Sequence, residues 1–326
     1  MNELITTPFH FDSLVWDWII AVYLFLTGMS AGGVMIAIYL KRHVIVGDAA
    51  KNGIIKAAAI FAPLGIILGL TILIFHLQRP LTFWKIMIFY NPSSVMSMGV
   101  MLFQVYMLVL FAWLGVVYQD AIQDVFSSRL NAWVKTRGLV TRLLGFISRF
   151  ERALETCLFI LAVMLAAYTG FLLSALKTYP MLNNPALPVL FLFSSVSSGA
   201  AACLLFGVVG FKESSHSPSV AWIHRLERPV VLIELFIIIA FFAGLYFGGG
   251  EKTASVINAI GSGFWATWFW CGVIAIGMLT PLVLNYLVPK KITHNVLFIT
   301  LVSGLSLIGV LMLRTFILYA GQMTVV

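Results

Sequence analysis

Eight stretches of this chain are apolar without interruption over helical lengths: residues 18–40, 57–75, 95–117, 156–176, 189–211, 230–247, 264–288 and 296–320. A transmembrane helix needs ~20 mostly apolar residues to cross the hydrocarbon layer, and each stretch supplies about that many. Barrel strands alternate in polarity, and these runs do not. Hydrophobic residues make up 61% of the chain and charged residues 10%, where soluble domains sit near ~50% and ~25%. The expected fold is an all-α integral membrane protein, a single domain over residues 1–326 built as a bundle of eight transmembrane helices.

The twenty Lys and Arg residues orient that bundle. Lys41, Arg42, Lys51 and Lys56 follow the first stretch; Arg129, Lys135, Arg137, Arg142, Arg149 and Arg152 the third; Lys212, Arg225 and Arg228 the fifth; Lys290 and Lys291 the seventh. The loops of the other face hold Arg79, Lys85, Lys177 and Lys252, and Arg314 lies inside the eighth stretch. The positive-inside rule makes the fifteen-cation face cytoplasmic and turns both termini outward. The same distribution accounts for the net charge of +8 without a nucleic-acid partner, because the cations sit in membrane loops rather than on a soluble face. Glu3 and Asp12 stand where a signal peptide carries basic residues, so the first helix is expected to stay in the protein. The longest connection, about 118–155, interleaves cations with Phe126, Leu130, Trp133, Leu144, Phe146 and Phe150. It reads as a basic amphipathic segment lying on anionic lipid, or else as a docking surface for a cytoplasmic partner.

Within the stretches, Gly28 and Gly32, and Gly65 and Gly69, stand one turn apart and allow close helix approach. Pro63 and Pro281 are expected to kink helices two and seven. Trp16, Trp18, Trp84 and Trp265 fall near the outer boundary as interface anchors. Cys157, Cys203 and Cys271 each stand alone and are expected to be buried small hydrophobes.

Cofactor ligands can be tested by subtraction. Of six His residues only His76 lies at a helix end, so a membrane haem with paired His ligands is not expected. Three Cys are too few for a four-Cys iron–sulfur cluster. Electron transfer here would therefore use a mobile redox molecule and a partner that carries metal. Polar residues gather near the outer ends of helices one, two and four: Asp17 and Tyr23, then His76, Gln78 and Arg79, then Tyr168, Ser174 and Lys177. A quinone head group needs donors for two oxygens and a group that takes protons, at the edge of an apolar slot, and Tyr, His, Gln and Arg at one depth supply these. Interfacial residues with snorkelling tips fit the same spacing. Deeper ionisable residues, Glu155 and Glu234 towards the inner side and Arg314 towards the outer, read either as a proton route or as structural polar bridges. Depth counting puts Glu234 and Arg314 in opposite halves.

Several motifs occur together: Phe9-His-Phe-Asp-Ser-Leu-Val-Trp-Asp-Trp, Ala21-Val-Tyr-Leu-Phe-Leu, His76-Leu-Gln-Arg-Pro, Ser94-Val-Met-Ser-Met-Gly, Tyr168-Thr-Gly-Phe-Leu-Leu-Ser-Ala-Leu-Lys, Leu182-Asn-Asn-Pro and Leu318-Tyr-Ala-Gly-Gln-Met-Thr-Val. Across its whole length the sequence resembles the NrfD and polysulfide-reductase membrane subunit family. The resemblance implies a bacterial inner-membrane subunit that oxidises menaquinol and carries no haem or iron–sulfur cluster of its own. Electrons would go to a periplasmic ferredoxin-like iron–sulfur subunit and on to multihaem c-type cytochromes that reduce nitrite to ammonia. The family's quinone-site Tyr, in a Tyr-x-Gly motif on helix four, falls on Tyr168. Where the polysulfide enzyme's subunit has an Asn and a His early in helix one, this sequence has Ile20 and Tyr23. The family's acidic residue at the end of helix two is replaced within His76-Leu-Gln-Arg-Pro, which leaves His76 as the proton acceptor and Gln78 as its hydrogen-bonding neighbour. A secondary transporter and a purely structural anchor are the competing classes. Absent inverted repeats and an outer-edge polar cluster count against transport.

Overall fold

The computed structural model describes residues 7–77, 79–122, 142, 144–289 and 293–325. Among them are eight helices long and apolar enough to span a membrane: α1 Trp18–His43, α2 Gly53–His76, α3 Val95–Val117, α4 Glu151–Ser174, α5 Leu187–Gly210, α6 Pro218–Tyr246, α7 Phe264–Leu287 and α8 Val296–Gly321. Side-chain caps set several starts: Asp17, Asn52, Ser94, Ser217 and Asn295 each accept a backbone N–H from the first turn of α1, α2, α3, α6 and α8. Ser217 and Pro218 together explain why α6 begins well before the expected 230. A capped start with Pro in the first turn extends the helix through the charged residues 225–228, which hydropathy alone assigns to a loop.

Helix α1 is the hub, packing against α2, α4, α5 and α8. Its crossing with α5 is backbone on backbone: a Cβ built on Gly32 would lie 1.8 Å from the Ser195 carbonyl oxygen, and one on Gly199 2.2 Å from the Gly32 carbonyl carbon. That is the close approach the glycine spacing predicts, with its partner now identified. Helix α2 runs through Pro63, and Ser30 Oγ of α1 donates to the Ala62 carbonyl at 2.8 Å. In α7 the turns widen to π-type over Trp268–Leu279, directly before Thr280 and Pro281. Proline removes a donor there and the wider spiral is the local adjustment.

The two ends of the molecule's sequence meet at the end of the bundle away from the basic loops. Gln322 accepts from the backbone of Val15 and Trp16 at 2.9 and 3.0 Å through Oε1 and donates to the Trp16 carbonyl at 2.8 Å through Nε2. The Tyr179 hydroxyl donates to Ser13 O at 2.7 Å, and burial pushes that phenol up from its ordinary range. Phe9 packs edge-on against Phe264, Trp265, Trp268 and Tyr319. Trp18 and Trp84 are exposed as interface anchors should be, but Trp265 is not one. It is buried, stacks on Tyr319 at 5.1 Å and donates to Pro8 O at 3.2 Å. Of the three cysteines only Cys203 is buried, between α1 and α5; Cys157 and Cys271 lie on faces turned away from the core, where an apolar thiol meets lipid at little cost.

Candidate functional site

Three aromatic rings on three helices line up below the end of the bundle opposite the basic loops. Tyr23 of α1 packs on Phe103 of α3 with ring centroids 5.9 Å apart, and Phe103 meets Tyr168 of α4 edge-on at 6.1 Å. Tyr23 is 2% exposed and Tyr168 8%. Neither hydroxyl has a hydrogen-bond partner among the described residues, and neither oxygen is sealed off by the protein, so both are open to a ligand. Tyr168 fits only because residue 99 is glycine: a Cβ there would sit 1.9 Å from its hydroxyl oxygen.

Apolar grooves flank the row on both sides. Between α3 and α4 a groove of about 510 Å³ is lined by Met98, Met101, Leu102, Val105, Met164, Tyr168 and Phe171. Between α2, the short helix Phe83–Ile88 and α3 a second, of about 270 Å³, ends on Phe103 and Gln104. Gln104 donates to the Met87 carbonyl at 3.1 Å and accepts from the Tyr90 hydroxyl, which holds the short helix against α3. The larger groove, apolar along its length with the Tyr168 hydroxyl at one edge, has the size for a flat ring with an isoprenoid tail. The residues present fit a quinone.

His76 and Asp17 come together, Nε2 to Oδ1 at 3.9 Å, at the ends of α2 and α1 opposite the basic loops. Along the helix axes their Cα positions lie beyond those of the tyrosines. Asp17 is six residues before Tyr23, and His76 seven after Gly69, on which the Tyr23 ring lies; at 1.5 Å per residue that is roughly 10 Å, or two turns. Arg79 is exposed beyond the helix end, and Gln78 lies outside the described residues.

The deep ionisable groups divide into two kinds. Glu155 is gripped at the basic end, accepting from Lys41 Nζ and Arg42 Nε at 2.6 Å each, while Lys41 also pairs with Glu151. Trp113 Nε1 completes the cluster at 3.5 Å. Such saturation describes a clamp between α1 and α4. Arg314 is fully buried and donates to Thr169 Oγ1 at 3.2 Å, Phe191 O at 3.0 Å and Ser195 Oγ at 3.1 Å, with its guanidinium 3.7 Å from the Phe191 ring centroid. Glu234 is 1% exposed and its Oε1 has no partner among the described residues. The early start of α6 places Glu234 sixteen residues into a helix of 29, near the middle of that helix, and within coulombic reach of Arg314. Sequence reading missed Phe103, Gly99, Thr169 and Ser195. A glycine in a run of Met and Val, and small hydroxyls facing an intramembrane Arg, were the available signals.

The sequence profile of the family described as polysulphide reductase, NrfD, matches residues 6–326. This chain belongs to that family. NrfD of Escherichia coli (strain K12) is 48% identical over 320 residues, covering 98% of this chain and 99% of that one. The NrfD homolog of Haemophilus influenzae is 49% identical over 98% of both proteins. The C subunit of polysulfide reductase from Wolinella succinogenes is 41% identical over 99% of both. In this NrfD-family membrane subunit, Tyr168 and Gly170 stand in a Tyr-x-Gly sequence on α4. Gly170 is tight for its own reason, since a Cβ there would meet the Leu187 carbonyl oxygen of α5 at 2.5 Å.

Proposed function

We propose that this protein is the quinol-oxidising membrane subunit of a respiratory nitrite reductase system, set in a bacterial inner membrane with both termini and the tyrosine row towards the periplasm. Menaquinol is the exchangeable substrate. It supplies two electrons and two protons from its hydroxyls, the electrons leaving to a periplasmic ferredoxin-like iron–sulfur subunit and then to multihaem c-type cytochromes for reduction of nitrite to ammonia. The observation that carries this reading is the unpartnered phenol of Tyr168 at the edge of an apolar groove, with Tyr23 behind it across Phe103. Tyr168 holds one oxygen of the head group and Phe103 packs the ring. The groove of Met98, Met101 and Met164 takes the tail. His76 with Asp17 is the first titratable pair outward of the tyrosines, and to it we assign passage of the released protons to water, with Gln78 and Arg79 at the exit.

Glu234 and Arg314 support a second role, proton movement through the polar interior, because an orphan carboxylate oxygen buried in a helix bundle is otherwise costly. Glu155 belongs to the clamp instead. The 41% identity to a polysulfide reductase subunit favours, as the other reading, the same quinol chemistry feeding a polysulfide-type enzyme, and the partner that co-purifies decides between them.

The test is a fluorescence-quench titration of the purified protein with a quinol-analogue inhibitor. Saturable one-to-one binding is expected, weakened roughly fivefold to tenfold in Tyr168→Phe by loss of one hydrogen bond. Saturable binding that equals the wild-type value both in Tyr168→Phe and in a His76→Ala, Tyr168→Phe double variant would remove both residues from the site.

A further inference from the structure

A cleft of about 550 Å³ opens at the basic end of the bundle, between the first turns of α6 and the last turn of α7. Nothing in the quinol reading uses it. Arg225 and Arg228 stand three residues apart on one face of α6 and line it, with His224, Asn285, Tyr286 and His294. Three observations make it a site for an anion. Both arginines are exposed, and Arg228 spends one donor on the Asn285 carbonyl, at 3.0 Å, which aims its guanidinium without neutralising it. The neighbouring carboxylate, Glu227, is engaged by His224 Nδ1 and Asn285 Nδ2 at 3.2 Å each. The His224 Nε2 is buried with no partner among the described residues, and His294 is fixed by Ser215 O at its Nδ1, 3.0 Å away, and by the His216 ring at 4.4 Å. Two planar cations and two held imidazoles around one cavity match the geometry of a phosphate group.

The wall then decides what carries the phosphate. Tyr286 and Leu287, 77% and 70% exposed, and Val283 continue from the cleft along the outer face of α7 as an apolar strip. A free anion has no use for such a strip, whereas a diacyl lipid whose headgroup fills the cleft lays its chains there. Basic pockets between transmembrane helices recognise headgroups in this manner. We propose that this cleft is a specific binding site for one anionic phospholipid, its headgroup phosphate held by Arg225 and Arg228 and its acyl chains along α7.

Native mass spectrometry of the full-length protein in detergent, offered an equal mixture of phosphatidylglycerol and phosphatidylcholine with matched acyl chains, tests this. Wild type should retain one phosphatidylglycerol in preference to phosphatidylcholine. Arg225→Gln should weaken that retention roughly fivefold, the worth of one cation at an anionic surface, and Arg225→Gln with Arg228→Gln should abolish the preference. The single variant changes an exposed side chain that makes no hydrogen bond among the described residues, so it keeps the fold. Arg79→Gln at the opposite end should leave lipid retention unchanged. The site is overturned if folded wild type retains both lipids equally, or if the double variant keeps the preference. Inorganic phosphate alone that raises the melting temperature as much as phosphatidylglycerol would reassign the cleft to a free anion.

Discussion

At the scale of single residues, the chemistry rests on which buried polar atoms are satisfied. Tyr168 and Tyr23 are unpaired, whereas Glu155 and Arg314 are saturated or nearly so. Gly99 is the least conspicuous member of the site and the most constrained. Gly99→Ala puts a methyl where the Tyr168 phenol lies, so the ring must turn away while α3, which gains helix propensity, stays formed. The expected result is quinol-analogue affinity lowered at least as much as in Tyr168→Phe, with an unchanged far-ultraviolet circular dichroism spectrum. Glu155→Gln should behave oppositely. Removing one partner of a buried ion-pair cluster costs about 1–3 kcal/mol, which lowers the thermal midpoint in detergent, and analogue binding at the far end of the bundle stays at the wild-type value. A loss of binding without a loss of stability would return Glu155 to the proton path.

At the scale of helices, α1 does most of the organising, since it touches four other spans and contributes Tyr23, Lys41 and Arg42 to both ends of the molecule. Its contact with α5 tolerates no side chain at Gly32, because the obstructing atom is a backbone oxygen. Gly32→Ala should therefore fail to give a monodisperse species on size-exclusion chromatography, while Gly210→Ala, whose Cβ meets nothing within 4 Å, should not. Element positions were largely legible in the sequence because hydrophobic length is what the bilayer demands. Boundaries were less so. Helix α6 gained its first three turns from a Ser-Pro cap that a hydropathy window does not see. The candidate site was half legible: Tyr23, His76 and Tyr168 stood out as polar residues at one end, but Phe103, the ring between the tyrosines, is one aromatic among many. Which residues share a contact depends on helix rotation, and runs apolar on all sides carry little rotational signal.

At the scale of the whole molecule, fifteen cations in alternate loops predict that the end holding the tyrosine row faces away from the cytoplasm. In a variant lacking Cys157, Cys203 and Cys271, a Lys177→Cys substitution should react with a membrane-impermeant maleimide in intact cells treated to open the outer membrane. Lys212→Cys should react only once the inner membrane is broken, and the reverse pattern would invert the electron path. Oxidation at the outer end would release electrons and protons on one side, so quinol oxidation alone moves no charge across the bilayer. All of this depends on a quinol lying against Tyr23, Phe103 and Tyr168, and photolabelling with an azidoquinone followed by peptide mapping examines that most directly. The account predicts label on α3 between Met98 and Met107 and on α4 between Met164 and Phe171, protected by excess menaquinone analogue. Protectable label confined to other helices would contradict it.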